Sequence, residues 1–594
     1  MSNTTIAVLP FVNMSSNPDN EYFSDGITEE IINALARIKE LKVTSRTSSF
    51  FFKDKKIPLK EVAEELGVAI VLEGSIRLAG NKVRITAQLI QAKNDFHFWS
   101  ETWDRKLENI FEIQDEVSLH IADRIREQFG HLEFSDHLVD KQTDNLDAYA
   151  FSLKAKYHFN KWNPEDVRIS IDLFEKAIAL DSNHTESYVG LADAYGFMAT
   201  TEFMPREEAW EKAVGYTQKA YALNPKNAGV HYQLANIAFF TASDFQESMQ
   251  HALKAAELKP SYPEAQQYIA FLYILIGEMD KANAHLQVAL SIDPLSQETL
   301  FYKAYYHYRL RDYKEALRIL NSCLEKNPKN IPAYIVRSYC LLKLKKFDEL
   351  HKYLAHMPKD IVIPDEQLGI SCLAYILSGD KSNADKYFAL LKKESEKPTS
   401  FQAHSYLYLA YVCMNKFDKA YSWLDEVIKM KSSVLLLTFA DPLAENLPID
   451  SKYNSYKTKL FNQVTIQEET ATKKPPLLDA ETAEAYKSRL LQFIEEEEPY
   501  LSPNLTLRLL AEQVEIHPNQ LSWLLNERLG KNFNDFINYY RVERFKSLVT
   551  NPSNSHISLI GLAYESGFNS KTVFNTFFKK EVGMTPKEYM KANS

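Results

Sequence analysis

The sequence predicts a mainly α-helical protein in three parts: an N-terminal α/β domain, a central α-solenoid of repeated helix pairs, and an all-α C-terminal domain. Three observations carry this. Strand-like and helix-like patterns alternate through residues 1–130. A period of 34 residues runs through residues 146–440. Within residues 484–594, two blocks, LTLRLLAEQVEIHPNQLSWLLNERLGKNFNDF and ISLIGLAYESGFNSKTVFNTFFKKEVGMTPKEY, align on each other. Composition agrees, because 16 Gly against 33 Tyr and 34 Phe in 594 residues suits packed helices better than a loop-rich fold.

The first domain opens on Ile6-Ala7-Val8-Leu9-Pro10-Phe11, a buried-strand pattern stopped by Pro10. Ser24-Asp25-Gly26 then reads as a cap for an amphipathic helix through Ile27, Ile31, Ile32 and Leu35. Lys42 to Ser45 reads as a strand, and Leu59 to Leu66 as a helix ended by Gly67. Two strands, Ala69–Arg77 and Lys82–Gln91, flank a hairpin signal at Ala79-Gly80-Asn81. Phe96 to Trp99 extends the β pattern, and Leu107 to Gln128 is a long amphipathic helix. The stretches IAVLPFVNMSSNPDNEYFSDGITEEI, LKVTSRTSSF and VLEGSIRLAGNKVRITAQLI resemble the TolB-like domain that precedes repeat arrays in bacterial signalling proteins. In such relatives the domain can follow an adenylate cyclase domain. Here Met1 leads straight into it, so no cyclase is expected.

The middle region announces itself by spacing. Pro225, Pro260, Pro294 and Pro328 lie 35, 34 and 34 apart, each closing a helix. Ser248, Ala282, Ala316, Leu350 and Ala384 follow one another at 34-residue steps, with Ala420 after 36. Such spacing matches tetratricopeptide repeats, in which a small residue lets paired helices approach closely. About eight units begin near Asp147, with Thr200 to Glu208 reading as an insertion. The stacked pairs are expected to form a superhelix carrying a protein or peptide partner. Residues 441–483, with Asp441-Pro442, Pro448 and Lys473-Lys474-Pro475-Pro476, read as a closing cap and linker. A helix from Ala483 to Glu497 follows, its acidic end at Glu495 to Glu498 reading as a solvated face.

In the last domain, Thr506 and Ser558 are equivalent helix caps 52 apart. After one extra residue in the second turn, Leu521 pairs with Phe574 and Gly530 with Gly583, 53 apart. Each block is a short helix, a tight turn and a second helix. Ala511 and Ala563 are small where the helices meet, and Ile516 and Phe568 anchor the turns. The paired blocks, joined by a helix through Phe533 to Leu548, resemble the AraC/XylS family over Leu505 to Met590. That resemblance implies double-stranded DNA as partner, with two recognition helices in successive major grooves. Carried over, the base-reading positions are Asn519, Ser522, Trp523 and Asn526 on the first helix. On the second they are Lys571, Thr572, Asn575 and Thr576. Asn can bind adenine bidentately, Lys can reach guanine, and Trp or Thr can touch a thymine methyl. Lys579, Lys580 and Arg541 are the expected phosphate contacts.

Charge is compatible with this. The chain carries −10 overall, but from Tyr500 onward 11 Lys+Arg face 8 Asp+Glu, giving +3 there and −13 elsewhere. Phosphate contact needs cations only where phosphates lie. Cys323, Cys340, Cys372 and Cys413 form no C-x-x-C pair and read as buried thiols of a cytoplasmic protein. No run of about 18 apolar residues predicts a membrane span. There is no Walker loop, G-x-S-x-G, H-E-x-x-H or G-x-G-x-x-G, so no enzyme, cofactor or metal site is expected. The leading expectation is a sequence-specific transcription regulator set through the repeats. The alternatives are a non-enzymatic signalling scaffold and a regulatory subunit of a separate signalling enzyme.

Overall fold

In the computed structural model the described residues are 4–17, 20–139, 141–161, 164–201, 203–397, 400–429, 434–461 and 476–593. Strand β1, Thr4–Val8, lies parallel to both of its neighbours, β3 (Leu41–Val43) and β4 (Ile70–Ala79). The short β2, Val12–Asn13, also pairs with β4. From β4 the sheet continues antiparallel through β5 (Lys82–Gln91) and β6 (Phe96–Lys106), giving the order β3-β1-β4-β5-β6. Gly80 turns the β4–β5 hairpin at φ +60°, a left-handed conformation that Gly adopts without a Cβ penalty. Four helices accompany the sheet: α1 (Glu21–Leu35), α2 (Arg46–Phe50), α3 (Leu59–Leu66) and α4 (Ile110–Phe129). Ile27 and Ile31 of α1 and Val117 and Ile121 of α4 pack with Ile6, Leu72, Ile85 and Trp103 of the sheet in one buried core. The alternating pattern of β5 is realised, with Val83, Ile85, Ala87 and Leu89 inward.

One expectation about this domain is corrected. Ser24-Asp25-Gly26 is not a cap, because α1 begins earlier, at Glu21 after Asn20. Asp25 is 3% exposed and accepts a hydrogen bond from Lys53 Nζ at 2.6 Å. Gly26 sits where a Cβ would come within 2.8 Å of Leu153 Cδ1, on the first helix of the repeat array. Its lack of a side chain lets α1 lie against that helix.

The middle region is an α-solenoid of tetratricopeptide-type helix pairs, from Leu146–Phe159 to Phe417–Lys429, closed by shorter helices at Val434–Thr438 and Ser451–Phe461. The 34-residue ladder lies on its inner seam. Ser248, Ala282, Ala316, Leu350 and Ala420 are fully buried and Ala384 nearly so. A longer side chain there would push paired helices apart. Polar caps start the helices: Asn227 accepts from Val230 N, Asp244 from Glu247 N and Asn330 from Ala333 N. Cys323, Cys340 and Cys372 are buried free thiols, and Cys413 is half-buried. Lys473-Lys474-Pro475 fall outside the described residues. Asp441, read as part of a cap, is buried and accepts from Tyr308 Oη at 2.6 Å and Leu443 N at 2.8 Å. The helix Ser451–Phe461 is more than linker, since Phe461 packs against Phe245 and Phe439.

The N-terminal domain is fastened to the array at several points. Gln114 of α4 donates to Tyr149 Oη at 2.7 Å. Ser48 Oγ donates to Asp293 at 2.6 Å, and Lys259 Nζ to Asn33 at 3.0 Å. No helix among the described residues is long and apolar enough to cross a membrane.

Candidate nucleic-acid interface

Each C-terminal block folds as its sequence pattern requires. In the first, Thr506 caps the helix Leu507–Gln513 by accepting from Leu509 N at 3.1 Å. Ile516 is buried in the turn, and His517 Nδ1 accepts from Asn519 N at 3.2 Å to start the helix Pro518–Leu529. Pro518 occupies the first helical position, where its missing N–H costs nothing. In the second block, Ser558 caps Leu559–Glu565 and Ser570 caps Lys571–Val582. Ala511 and Ala563 are fully buried at the helix contacts. Both second helices end at left-handed glycines, Gly530 at φ +65° and Gly583 at φ +80°. The connecting helix Phe533–Thr550 serves both cores. Phe536 and Ile537 join the first, while Val542 and Phe545 join the second, with Phe545 4.7 Å from Phe574 between ring centres.

The two recognition helices present very different surfaces. On the second, Lys571, Thr572, Asn575, Thr576, Lys579 and Lys580 are all exposed, while Phe574, Phe577 and Phe578 point into the core. Lys580 is engaged in part, with its Nζ 3.0 Å from Asp535. On the first, none of Asn519, Ser522, Trp523 and Asn526 is exposed. Ser522 is 1% exposed, and its hydroxyl has no hydrogen-bond partner. Trp523 is half-buried, with Arg528 5.5 Å from its ring centre. Asn526 Nδ2 turns back to Ser522 O at 2.8 Å.

At Asn519 and Asn526 the first helix is met by the C-terminal end of α4 and the segment after it. Arg126, 1% exposed, donates through Nη1 to Asn519 Oδ1 at 2.7 Å. Asn519 Nδ2 in turn donates to Phe134 O at 2.9 Å. Arg508 Nε donates to Asp123 at 2.8 Å, and Leu507 N donates to Glu127 at 2.8 Å. Asn532 and Asn534 donate to Gln128. A Cβ on Gly130 would stand 3.0 Å from Asn526 Oδ1. Arg126 also hydrogen-bonds Asp123 and lies 4.4 Å over the Phe134 ring. Burial pulls its pKa below the ordinary guanidinium value, and burial raises that of Glu127. These buried charges are tolerable because each has a charged or hydrogen-bonding partner.

Sequence reasoning assigned no role to Asp123, Arg126, Glu127 or Arg508. The signal was a charged run, Asp123-Arg124-Ile125-Arg126-Glu127, at the end of a helix whose other turns alternate apolar and polar. Its partner surface lies about 380–400 residues away in sequence, so periodicity could not pair them. Arg541, expected at phosphate, is instead structural. It is 9% exposed, donates to Tyr500 O at 2.7 Å and Ser502 O at 2.8 Å, and burial lowers its pKa to about 10. A guanidinium spent on two backbone carbonyls has no free face for DNA. In the acidic end, Glu495, Glu496 and Glu497 are exposed, as expected of a solvated face, and Glu498 is half-buried. Glu498 accepts from Tyr500 Oη at 2.7 Å. Among the described residues no three His, Cys, Asp or Glu side chains form a metal-holding group.

Comparison with known proteins agrees with this architecture. Residues 510–592 match a family model described as a helix-turn-helix domain. Residues 2–119 match the second domain of HilA/YgeH-like transcriptional regulators. Residues 277–356 match anaphase-promoting complex, cyclosome, subunit 3. A putative adenylate cyclase 3 of Rhizobium meliloti is 34% identical over 238 residues, 39% of this chain and 39% of that protein. The transcriptional regulator HilA of Salmonella typhimurium is 18% identical over 338 residues, 56% of this chain and 52% of that protein. The melibiose operon regulatory protein of Escherichia coli is 28% identical over 109 residues, 18% of this chain and 34% of that protein. The chain thus spans about half the length, or less, of these curated relatives. The TolB-like resemblance of the first domain rests on its quoted stretches alone. The C-terminal domain is an AraC-type double helix-turn-helix, carried on one chain with tetratricopeptide repeats.

Proposed function

We propose that this protein is a sequence-specific, DNA-binding transcription regulator whose two recognition helices enter successive major grooves, and whose activity is gated through the repeats. One observation carries the DNA reading. On the second recognition helix the four positions that would face a groove are polar and exposed, while every aromatic on that helix is buried. Lys571 and Asn575 supply the donors and acceptor that read guanine and adenine edges. Lys579 stands one turn further on, suited to a phosphate.

Support for a partner on the repeats comes from their side chains. Asp193, Glu264 and Glu298 lie near Tyr232, Tyr262 and Tyr302, all on the first helices of their pairs except Tyr262, which precedes one. Burial, with repulsion from neighbouring carboxylates at Glu264 and Glu298, raises these groups to about 6, 7 and 8. A protein or peptide segment bringing positive charge would relieve that cost.

A scaffold without DNA binding has one observation in its favour, the covered first recognition helix. Mapping the genomic DNA occupied by the intact protein separates the two. Enrichment at a shared sequence with two half-sites one helical turn apart supports the regulator. No enrichment under any growth condition favours the scaffold.

A further inference from the structure

We propose that the N-terminal domain is a built-in inhibitor of the first helix-turn-helix, with α4 as the movable link between the repeats and the DNA-reading surface. The inference rests on the reading of the C-terminal domain as DNA-binding, and it assigns the regulation of that domain.

The two halves of the domain provide an internal comparison. Asn519, Ser522, Trp523 and Asn526 correspond, 53 residues on, to Thr572, Asn575, Thr576 and Lys579. The second set is exposed at all four positions and the first at none. At Asn519 and Asn526 the asymmetry does not come from the motif. Trp523 leans on its own core and on Arg528. The covering groups at Asn519 and Asn526 come from Arg126, Gly130 and Phe134 of the N-terminal domain.

Size excludes a shared site. A major groove about 12 Å wide admits one α-helix, whose diameter with side chains is about 10 Å. The first recognition helix cannot keep α4 on its reading face and also enter a groove. Polar groups of the first block are already committed: Asn519 to Arg126 and Phe134, and Arg508 to Asp123 and, at 3.5 Å, Asp136. Leu507 N, at the start of the helix Leu507–Gln513, donates to the Glu127 carboxylate, a further bond between the two domains. These bonds across the contact join polar groups, which water can serve when the surfaces part, as a reversible lock requires.

The same helix carries the signal inward. Near its start, α4 holds the repeats through Gln114 and Tyr149. Near its end it holds the reading face through Arg126 and Asn519. Asp115 of α4 also fixes the segment that follows, accepting from Leu138 N at 2.6 Å and Val139 N at 2.9 Å. A displacement of the repeats against the N-terminal domain would be delivered to the first recognition helix without any intervening loop.

The test uses the full chain. Asp123→Asn with Glu127→Gln keeps side-chain shape and removes the charges that hold Arg508 and Leu507 N. Binding to a duplex of about 30 base pairs of mixed sequence is measured at low salt, together with hydrogen exchange of residues 518–529. Relief of a closed state predicts about tenfold tighter binding than the unaltered protein, because only the open fraction binds. Exchange at 518–529 should rise with it. Should the double variant misfold, Gln128→Ala with Asp136→Asn loosens the same contact from its rim and is read in the same way. Tight and equal binding by altered and unaltered proteins overturns the inference and leaves the DNA reading standing. Faster exchange with unchanged affinity overturns the inhibitory role. No binding by either protein overturns this inference and the DNA reading together.

Discussion

Ser522 and Asn575 hold the same position in two copies of one motif, yet Ser522 is 1% exposed with an unpartnered hydroxyl while Asn575 is open to solvent. Two copies of one helix-turn-helix pattern thus differ in exposure at the same position. At Asn519, one turn before Ser522, the first copy also meets Arg126 and Phe134 O, groups with no counterpart at Thr572 among the described residues.

Asn575→Ala should weaken binding to a preferred site by about 1–3 kcal/mol and leave binding to random DNA almost unchanged. Competition binding on the two duplexes checks this. Equal loss on both would make Asn575 a contact without sequence preference.

Lys579→Ala should lower affinity on every sequence and reduce the slope of log affinity against log salt by about 1. A salt titration of the variant beside the unaltered protein reads it directly. An unchanged slope would remove Lys579 from the phosphate contacts.

Gly567 should not tolerate a side chain. Its φ is +92°, and a Cβ would stand 2.2 Å from Tyr500 O and 3.1 Å from Arg541 Nε. Gly567→Ala is expected to cost the C-terminal domain about 2 kcal/mol or more, through strain and displacement of the carbonyl that Arg541 holds. Denaturant unfolding of the variant tests it. A loss below about 0.5 kcal/mol would mean that the turn yields freely.

His184 should make the repeats sensitive to mild acid. Burial, then the nearby Lys156 charge, lowers its pKa to about 4, and its ring caps a helix by accepting from Ser187 N. Between the ordinary value of 6.5 and about 4 the folded state binds fewer protons than the unfolded. Its contribution is therefore complete above 6.5 and is lost as pH falls through that window, by roughly 3 kcal/mol at most. Asn caps equally well and does not titrate. The stability of the unaltered protein relative to His184→Asn should accordingly fall from pH 6.5 toward 4. Urea midpoints at several pH values measure this, and parallel pH profiles would refute it.

Tyr308→Phe should destabilise the end of the array by about 1–3 kcal/mol, because it removes the 2.6 Å hydrogen bond to the buried carboxylate of Asp441. Thermal unfolding provides the check. No change would show that Leu443 N and the surrounding charges suffice for Asp441.

Much of the fold was written in local pattern. The 34-residue ladder, the caps Thr506, His517, Ser558 and Ser570, and strand β5 depend on spacing and on side chains bonding their own backbone. Such features need no knowledge of distant residues, so the sequence by itself determined them, together with the mainly helical class. The exposure of Lys571, Thr572, Asn575 and Thr576 on the helix Lys571–Val582 was legible for the same reason. Tertiary structure alone decided the rest. It moved Asp25 from a cap to a buried partner of Lys53, turned Arg541 inward to two carbonyls, and laid Arg126 on Asn519 across 393 residues of chain. A hydrogen bond between separate domains leaves no period in either segment. Charged residues such as Asp123, Arg126 and Arg508 look the same in sequence whether they face water, phosphate or one another. Only their placement shows that the first helix-turn-helix block is bonded to the N-terminal domain.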